Sequence, residues 1–381
     1  MRILHTADWH LGARLVERSR HDEHVRFLDW LIDTLSSERI DALLVSGDVF
    51  DAANPPQEAI SLYFSFIKRL ADLKSVKAII TGGNHDSASH LNAPRELLKH
   101  FNVHVFGHAE NTTVDLGEVV VAAVPFLRER DLRKASEGES IATVDAQVRT
   151  AIRKHYSDQL VSCREIAQGR PIIAMGHLTV MGATTTDSER EIHIGNLGAV
   201  GADLFQGFDY TALGHLHRPQ KVGGMENVRY SGSPIALSFS EVGDAKSVAL
   251  VDTSGMMIQT IPVPVTRALV RITANRATLA TDLQNIPTSA WAEVTLTLDA
   301  PEPDLDRLVR EAAGGRFEVL KVLAKLPESQ ANAWQSQSPA LDELQPREVF
   351  RELLKEKQIE GEEISAVFDE LLALREQQLA S

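Results

Sequence analysis

Ile3-Leu4-His5-Thr6-Ala7-Asp8-Trp9-His10 is an apolar run that closes on an aspartate and a histidine two residues apart. A short apolar run that stops at a polar motif reads as a buried strand. Side chains alternate along an extended chain, so Asp8 and His10 are expected to leave its end on one side and to clasp one ion. The same arrangement recurs downstream. Ala42-Leu43-Leu44-Val45 leads to Gly47-Asp48-Val49-Phe50-Asp51, and Lys77-Ala78-Ile79-Ile80 leads to Gly83-Asn84-His85-Asp86. Ile172-Ile173-Ala174-Met175 leads to Gly176-His177, and Tyr210-Thr211-Ala212-Leu213 to Gly214-His215-Leu216-His217.

Between these runs lie segments of helical period, such as Glu23 to Leu35 and Glu58 to Leu73, and Val119 to Val124 and Ser247 to Val251 read as further strands. Strands alternating with helices predict α/β layering. Every metal-type residue falls at the carboxyl end of a strand, where open α/β sheets place their sites. The pattern changes near Ile261-Pro262-Val263-Pro264. Beyond it, Ala268 to Ile272, Trp291 to Leu298 and Phe317 to Leu323 read as strands, with helices over Ala277 to Gln284 and Asp304 to Ala312. The expected division is therefore a metal-site domain over 1–262 and a small capping domain over 263–326. A linker rich in Gln, Ser, Ala and Asn covers 327–340, and a helical tail covers 341–381. Two apolar stripes mark the tail, Val349-Phe350-Leu353-Leu354 and Ile364-Val367-Phe368-Leu371-Leu372. They pack back on their own domain or on a partner.

Five clusters of this kind supply ligands for two ions side by side. Hydrolysis of a phosphodiester needs a water-derived nucleophile at neutral pH and positive charge on the phosphoryl oxygens. Two metals roughly 3.5–4 Å apart meet both needs. Asp48 follows a strand and a glycine and is the candidate bridge. Asn84 offers a neutral amide oxygen, and His177 and His215 complete the second ion. His217, two residues beyond His215, returns to the first ion with Asp8 and His10. His85 adjoins Asn84 but points elsewhere, toward substrate, as a general acid or as charge on the scissile phosphate. Asp51 is the candidate to hold the other ring nitrogen of His85. The remaining histidines, His193 included, read as structural or exposed.

The chain has 381 residues, 43% hydrophobic and 24% charged, enough for two or three domains. Its net charge of -14 argues against a protein that coats nucleic acid by electrostatics alone. It leaves open a DNA enzyme whose bound cations reverse the local sign. Cys163 is the single cysteine, so an intrachain disulfide is impossible and a reducing, cytoplasmic location is expected. No run reaches the roughly 18 apolar residues of a membrane span. The first residues are expected to form a strand rather than a leader. Arg14, Arg18, Arg20 and Arg26, and later Arg128, Arg130, Arg133 and Lys134, form basic groups interleaved with acids. They are either solvated faces or phosphate contacts. The segment from Glu58 to Leu73 carries more apolar side chains than one face needs. The surplus meets its own core or, with Leu97-Leu98, a second copy of the chain.

The motifs D-x-H, G-D-x-x-D, G-N-H-[DE], G-H and G-H-x-H resemble, without a departure, those of the calcineurin-like metallophosphoesterase superfamily. Met1 to Gly12, Gly176-His177-Leu178-Thr179, Gly223-Gly224-Met225-Glu226, Ser231-Gly232-Ser233-Pro234-Ile235 and Val263-Pro264-Val265-Thr266 narrow this to its SbcD-type nuclease subunits. The close resemblance spans roughly the first 270 residues. It implies a four-layer α/β/β/α sandwich, a small α+β capping domain, two manganese ions and a homodimer. The tail would bind an SbcC-type coiled-coil ATPase. The implied activity is exonuclease on double-stranded DNA ends and endonuclease on hairpins, in DNA repair and recombination. A phosphodiesterase or nucleotidase for small nucleotides, or a catalytically silent scaffold of the same fold, are the rivals.

Overall fold

The computed structural model describes residues 1–110, 112–132, 140–185, 199–300 and 302–326, with Phe350, Leu354 and Phe368. The linker, most of the tail, Arg133, Lys134 and His193 lie outside the described residues.

Two six-stranded sheets face each other. In the first, Arg2–Thr6, Ala42–Ser46, Lys77–Thr81 and Val103–Phe106 run parallel, and Ser247–Asp252 and Met257–Pro262 extend the sheet antiparallel beyond Arg2–Thr6. In the second, Val120–Ala123, Ile172–His177, Tyr210–Gly214 and Met225–Tyr230 run parallel, flanked by the antiparallel strands Thr113–Asp115 and Gln220–Val222.

The period-two alternation of each strand decides what it faces. Ala42 and Leu44 enter the core between the sheets, with Ile79, Val121, Ile173 and Ala212. Leu43 and Val45 point outward, under the helices His21–Ser37 and Gln57–Asp72. On the second sheet Val120, Ala122 and Ala174 point outward, beneath the helix Ile141–Ala167. Each fully buried Leu, Ile or Val contributes about 1.5–3 kcal/mol of transfer free energy. The result is the α/β/β/α sandwich the motifs implied. Polar ties cross the inner core as well: His5 Nδ1 lies 2.9 Å from the Tyr210 hydroxyl, and Ser46 Oγ donates to the Ala212 carbonyl at 3.0 Å.

The 27-residue helix Ile141–Ala167 has no counterpart among the segments read from the sequence. Its buried stripe is thin, Val148, Ile152, Tyr156, Cys163 and Ala167 at helical spacing, in an otherwise polar segment. Ser140 caps it, accepting from the Thr143 amide. Cys163 is buried in that stripe, where burial pushes its thiol pKa up, so it packs rather than reacts.

A third sheet follows, with Leu269–Asn275, Trp291–Thr297 and Glu318–Lys325 all parallel. The helix Leu305–Ala313 packs on it through Val309 and Ala313. Trp291 seats this sheet on the sandwich. The Arg267 guanidinium lies 4.4 Å from its ring centroid and that of Arg20 lies 5.5 Å away. Both arginines reach Glu23 at 3.0 Å, and Leu15 and Phe239 complete the apolar contact. Arg20, which its sequence neighbours group with a basic surface cluster, is in fact buried and structural.

Candidate metal centre

The loops after the first two parallel strands zip together. The amides of Asp8, His10 and Leu11 donate to the carbonyls of Gly47, Asp48 and Val49 at 2.9–3.0 Å. Trp9 between the two candidate ligands points into the core, edge-on to Phe27 and Phe66, and its Nε1–H donates to Thr6 Oγ1 at 3.1 Å. The backbone is left-handed at Asp8 (φ 53°), His10 (φ 48°) and Asp48 (φ 47°), and φ is 102° at His215. Asp8 and His10 therefore converge through two backbone kinks rather than through the alternation of an extended strand. Such conformations cost free energy and persist where the surroundings impose them.

Asp86 locks the next loop. Its carboxylate accepts from the amides of Val49, Phe50 and Gly83 at 2.8–3.1 Å, and Arg128 Nη2 donates to its carbonyl at 2.7 Å. Gly83 packs so tightly that a Cβ there would overlap the Asp48 carboxylate. Gly83→Ala is expected to destabilise by about 1–3 kcal/mol, as overpacking does, and to displace Asp48. Denaturant unfolding and metal content would both register it.

Asp48 lies between two groups of nitrogens. Its Oδ2 is 3.2 Å from His177 Nε2 and 3.6 Å from His10 Nε2, and its Oδ1 accepts from the His85 amide at 2.9 Å. On one side Asn84 Oδ1 is 2.9 Å from His177 Nε2 and 3.0 Å from His215 Nδ1. On the other side stand Asp8, His10 and His217, with the rings of His10 and His217 5.0 Å apart. Ligand atoms of Asp8, His10 and Asp48 lie within 4.8 Å of one another, as do those of Asp48, His177 and His215. Asp8, His10, Asp48 and Asn84 follow strands of the first sheet, whereas His177, His215 and His217 come from the second. The centre thus spans the seam between the two sheets.

These residues fit divalent ions. Asp8 Oδ2 and His10 Nε2 are buried with no hydrogen-bond partner, which costs several kcal/mol unless an ion pairs them. The opposite ring nitrogens are held. His10 Nδ1 meets Asp51 Oδ1 at 3.1 Å, and His177 Nδ1–H donates to the Ser46 carbonyl at 3.0 Å. Each hold directs the other nitrogen's lone pair inward. Mixed carboxylate, imidazole and amide donors suit manganese, iron or zinc.

Without ions the centre traps protons. Burial disfavours a charged His177, but the Asp48 and Asp8 carboxylates outweigh it and push its pKa up to about 9. Burial raises Asp8, while Asp48, despite burial, is held well below the carboxylate range by His177 and His10. A metal bound through His177 would have to displace that proton. Affinity for Mn2+ is expected to rise about tenfold per pH unit for that proton and to level off above about pH 9. Calorimetric titrations between pH 6.5 and 9.5 check this, and a flat profile contradicts it. The folded pKa lies above the ordinary 6.5, so the metal-free protein gains stability from this group at acid pH. It loses that stability as pH climbs through about 9.

Asp51 does hold the other ring nitrogen of His85, but from its backbone, and its side chain serves a different histidine. Its carboxylate holds His10, and its main-chain carbonyl accepts from His85 Nδ1 at 2.8 Å. His85 stands against the centre, its ring 4.8 Å from that of His10. Two residues escaped the sequence reading. Asp86 sits inside a quoted motif, and its three amide bonds could have been suspected from its place in a tight loop. Glu241, 3.3 Å from His217 Nδ1, belongs to no local pattern.

Residues 1–219 match the family model described as calcineurin-like phosphoesterase, and residues 265–358 match that of the type 5 capsule protein repressor C-terminal domain. The chain is 36% identical over 371 residues to the D subunit of nuclease SbcCD from Escherichia coli (strain K12), covering 93% of this chain and 92% of that protein. It is 41% identical over 273 residues to the protein of the same name in Rhodobacter capsulatus, 67% of each chain. With that of Bacillus subtilis it shares 38% over 265 residues, 66% of each. The first alignment continues through the small sheet, beyond the 270 or so residues to which the motifs had confined the close resemblance. The chain belongs to the calcineurin-like phosphoesterase family and, within it, to the D subunits of SbcCD nucleases.

Proposed function

We propose that the chain is the metal-dependent nuclease of an SbcCD-type complex, hydrolysing DNA phosphodiesters at double-strand ends and hairpins in DNA repair and recombination. The observation that carries this reading is the Asp48 carboxylate, flanked by His10 on one side and His177 on the other. Asp8, His10 and His217 would hold one ion, Asn84, His177 and His215 the other, and Asp48 both. Manganese is the proposed metal. Bound ions supply charge on the phosphoryl oxygens and an acidified water.

The protein's own groups do the rest. His85 Nδ1–H is committed to the Asp51 carbonyl, so Nε2 is the nitrogen available to bind the scissile phosphate or to protonate the leaving oxygen. Asp51 acts on both sides, fixing His10 through its carboxylate and His85 through its carbonyl. Asp86 keeps the Asn84-His85 loop against the Asp48 loop. Among the described residues of the two basic groups, Arg128, which reaches that loop, is the one proposed to contact phosphate.

The division at 262 and 326, the linker to 340 and the tail from 341 form part of the proposal, with the tail as the docking segment for an SbcC-type coiled-coil ATPase. Exposed Phe64 (41%), Leu97 (64%) and Phe101 (48%) support a homodimer, whereas Leu98 is buried in its own core. Among the described residues no helix is long and apolar enough to cross a membrane. A cytoplasmic site of action accords with the DNA substrate.

The test assays the purified chain, with and without its ATPase partner, on linear duplex DNA, hairpin DNA and a small phosphodiester, each with manganese. Cleavage of both DNA forms is the expected result. Turnover confined to the small ester would overturn the nuclease reading.

A further inference from the structure

Glu241 and Lys246 form a buried ion pair at 2.6 Å, 24 and 29 residues past His217, and both converge on that histidine. Glu241 Oε1 lies 3.3 Å from His217 Nδ1 and accepts from Ser238 Oγ at 3.2 Å. Its Oε2 accepts from Lys246 Nζ, from Ser233 Oγ at 3.2 Å and from the Leu237 amide at 3.2 Å. Lys246 Nζ also donates to the His217 carbonyl at 2.9 Å, and the Ser233 amide donates there at 3.1 Å. Ser231-Gly232-Ser233-Pro234 runs close beneath: a Cβ on Gly232 would stand 2.6 Å from that carbonyl oxygen. His217 is thus gripped at its ring and at its backbone by one assembly.

Stability does not explain such an assembly. Two charges taken out of water cost several kcal/mol each, and well-packed apolar residues commonly serve as well. Positioning does explain it. A carboxylate on Nδ1–H fixes the tautomer and turns the Nε2 lone pair away from Glu241. The turn that carries Glu241 is itself pinned, because Phe239 packs with Trp291 and Leu15, and Arg20 Nη1 donates to the Ala236 carbonyl at 2.6 Å.

We propose that Glu241, steadied by Lys246 and Ser233, is a positioning residue that orients His217 and so sets the affinity of the ion shared by Asp8, His10 and His217. This rests on the reading of His217 as a ligand, and the experiment separates the two. Manganese is titrated by calorimetry and by electron paramagnetic resonance into the full-length wild type and three variants. They are His217→Ala, Glu241→Gln and the double variant Glu241→Leu with Lys246→Met. The double variant leaves no buried charge unpaired, so it gives the reading if Glu241→Gln does not fold. His217→Ala is expected to bind one ion. Both Glu241 variants are expected to bind one ion as the wild type does and the other about 10–100-fold more weakly. The spin-coupled signal of an ion pair would give way to that of a single ion at subsaturating metal. Two ions retained in His217→Ala would sink the ligand reading. One ion in His217→Ala with wild-type affinities and an intact coupled signal in the folded Glu241 variants would sink this proposal alone.

Discussion

Asp48→Asn is expected to lose both ions and to cut DNA at least about a thousandfold more slowly. The charge stabilisation that ions supply is worth several kcal/mol, and each 1.36 kcal/mol is a factor of ten. Asn has the shape of Asp and tolerates the left-handed backbone at φ 47°, so the fold should remain. The amide, however, has one acceptor oxygen. If that oxygen keeps the His85 amide, now met by Oδ1, an NH2 group faces His10 and His177. If it turns round, the NH2 opposes the His85 N–H. Neither arrangement bridges two cations. Elemental analysis and a duplex-cleavage assay on the same preparation check the prediction. Stoichiometric metal in Asp48→Asn would refute the bridging role.

His85→Ala is expected to behave in the opposite way toward metal. The contact between residue 85 and Asp48 runs through the main-chain N–H, which alanine keeps, so both ions should stay. What disappears is the imidazole whose Nδ1 is anchored on the Asp51 carbonyl. Cleavage should fall by about 10²–10⁴, the usual worth of a placed acid or base, while DNA affinity changes little. Single-turnover cleavage beside a binding titration separates the two quantities. Undiminished cleavage would remove His85 from the chemistry.

The sequence was most informative where local pattern and tertiary role coincide. Leu43 and Val45 alternate with Ala42 and Leu44, and the structure sends the two pairs to different cores. Each apolar run ends in ligand-type residues, and five such ends meet. Legibility failed where a role depends on contacts far along the chain. Glu241 grips His217 from 24 residues away, with the strands Gln220–Val222 and Met225–Tyr230 in between. Asp51 meets its expected neighbour His85 through its main-chain carbonyl, and sequence spacing does not distinguish a carboxylate from the carbonyl behind it. The helix Ile141–Ala167 carries too few apolar residues for its period to stand out.

The left-handed backbones at Asp8, His10 and Asp48, and the unusual φ at His215, set folding and chemistry against each other. Glycine would adopt these conformations with less strain, by roughly 1–2 kcal/mol per position, and would remove a proposed metal ligand. The side chains that a β-carbon makes costly here are the ones proposed to hold the metal ions. A lineage released from cutting DNA would therefore decay in a recognisable order. Glycine and asparagine would enter at these four positions while Trp9, Leu43 and Ile79 stayed, and the derelict protein would hold its shape at least as firmly as the working one.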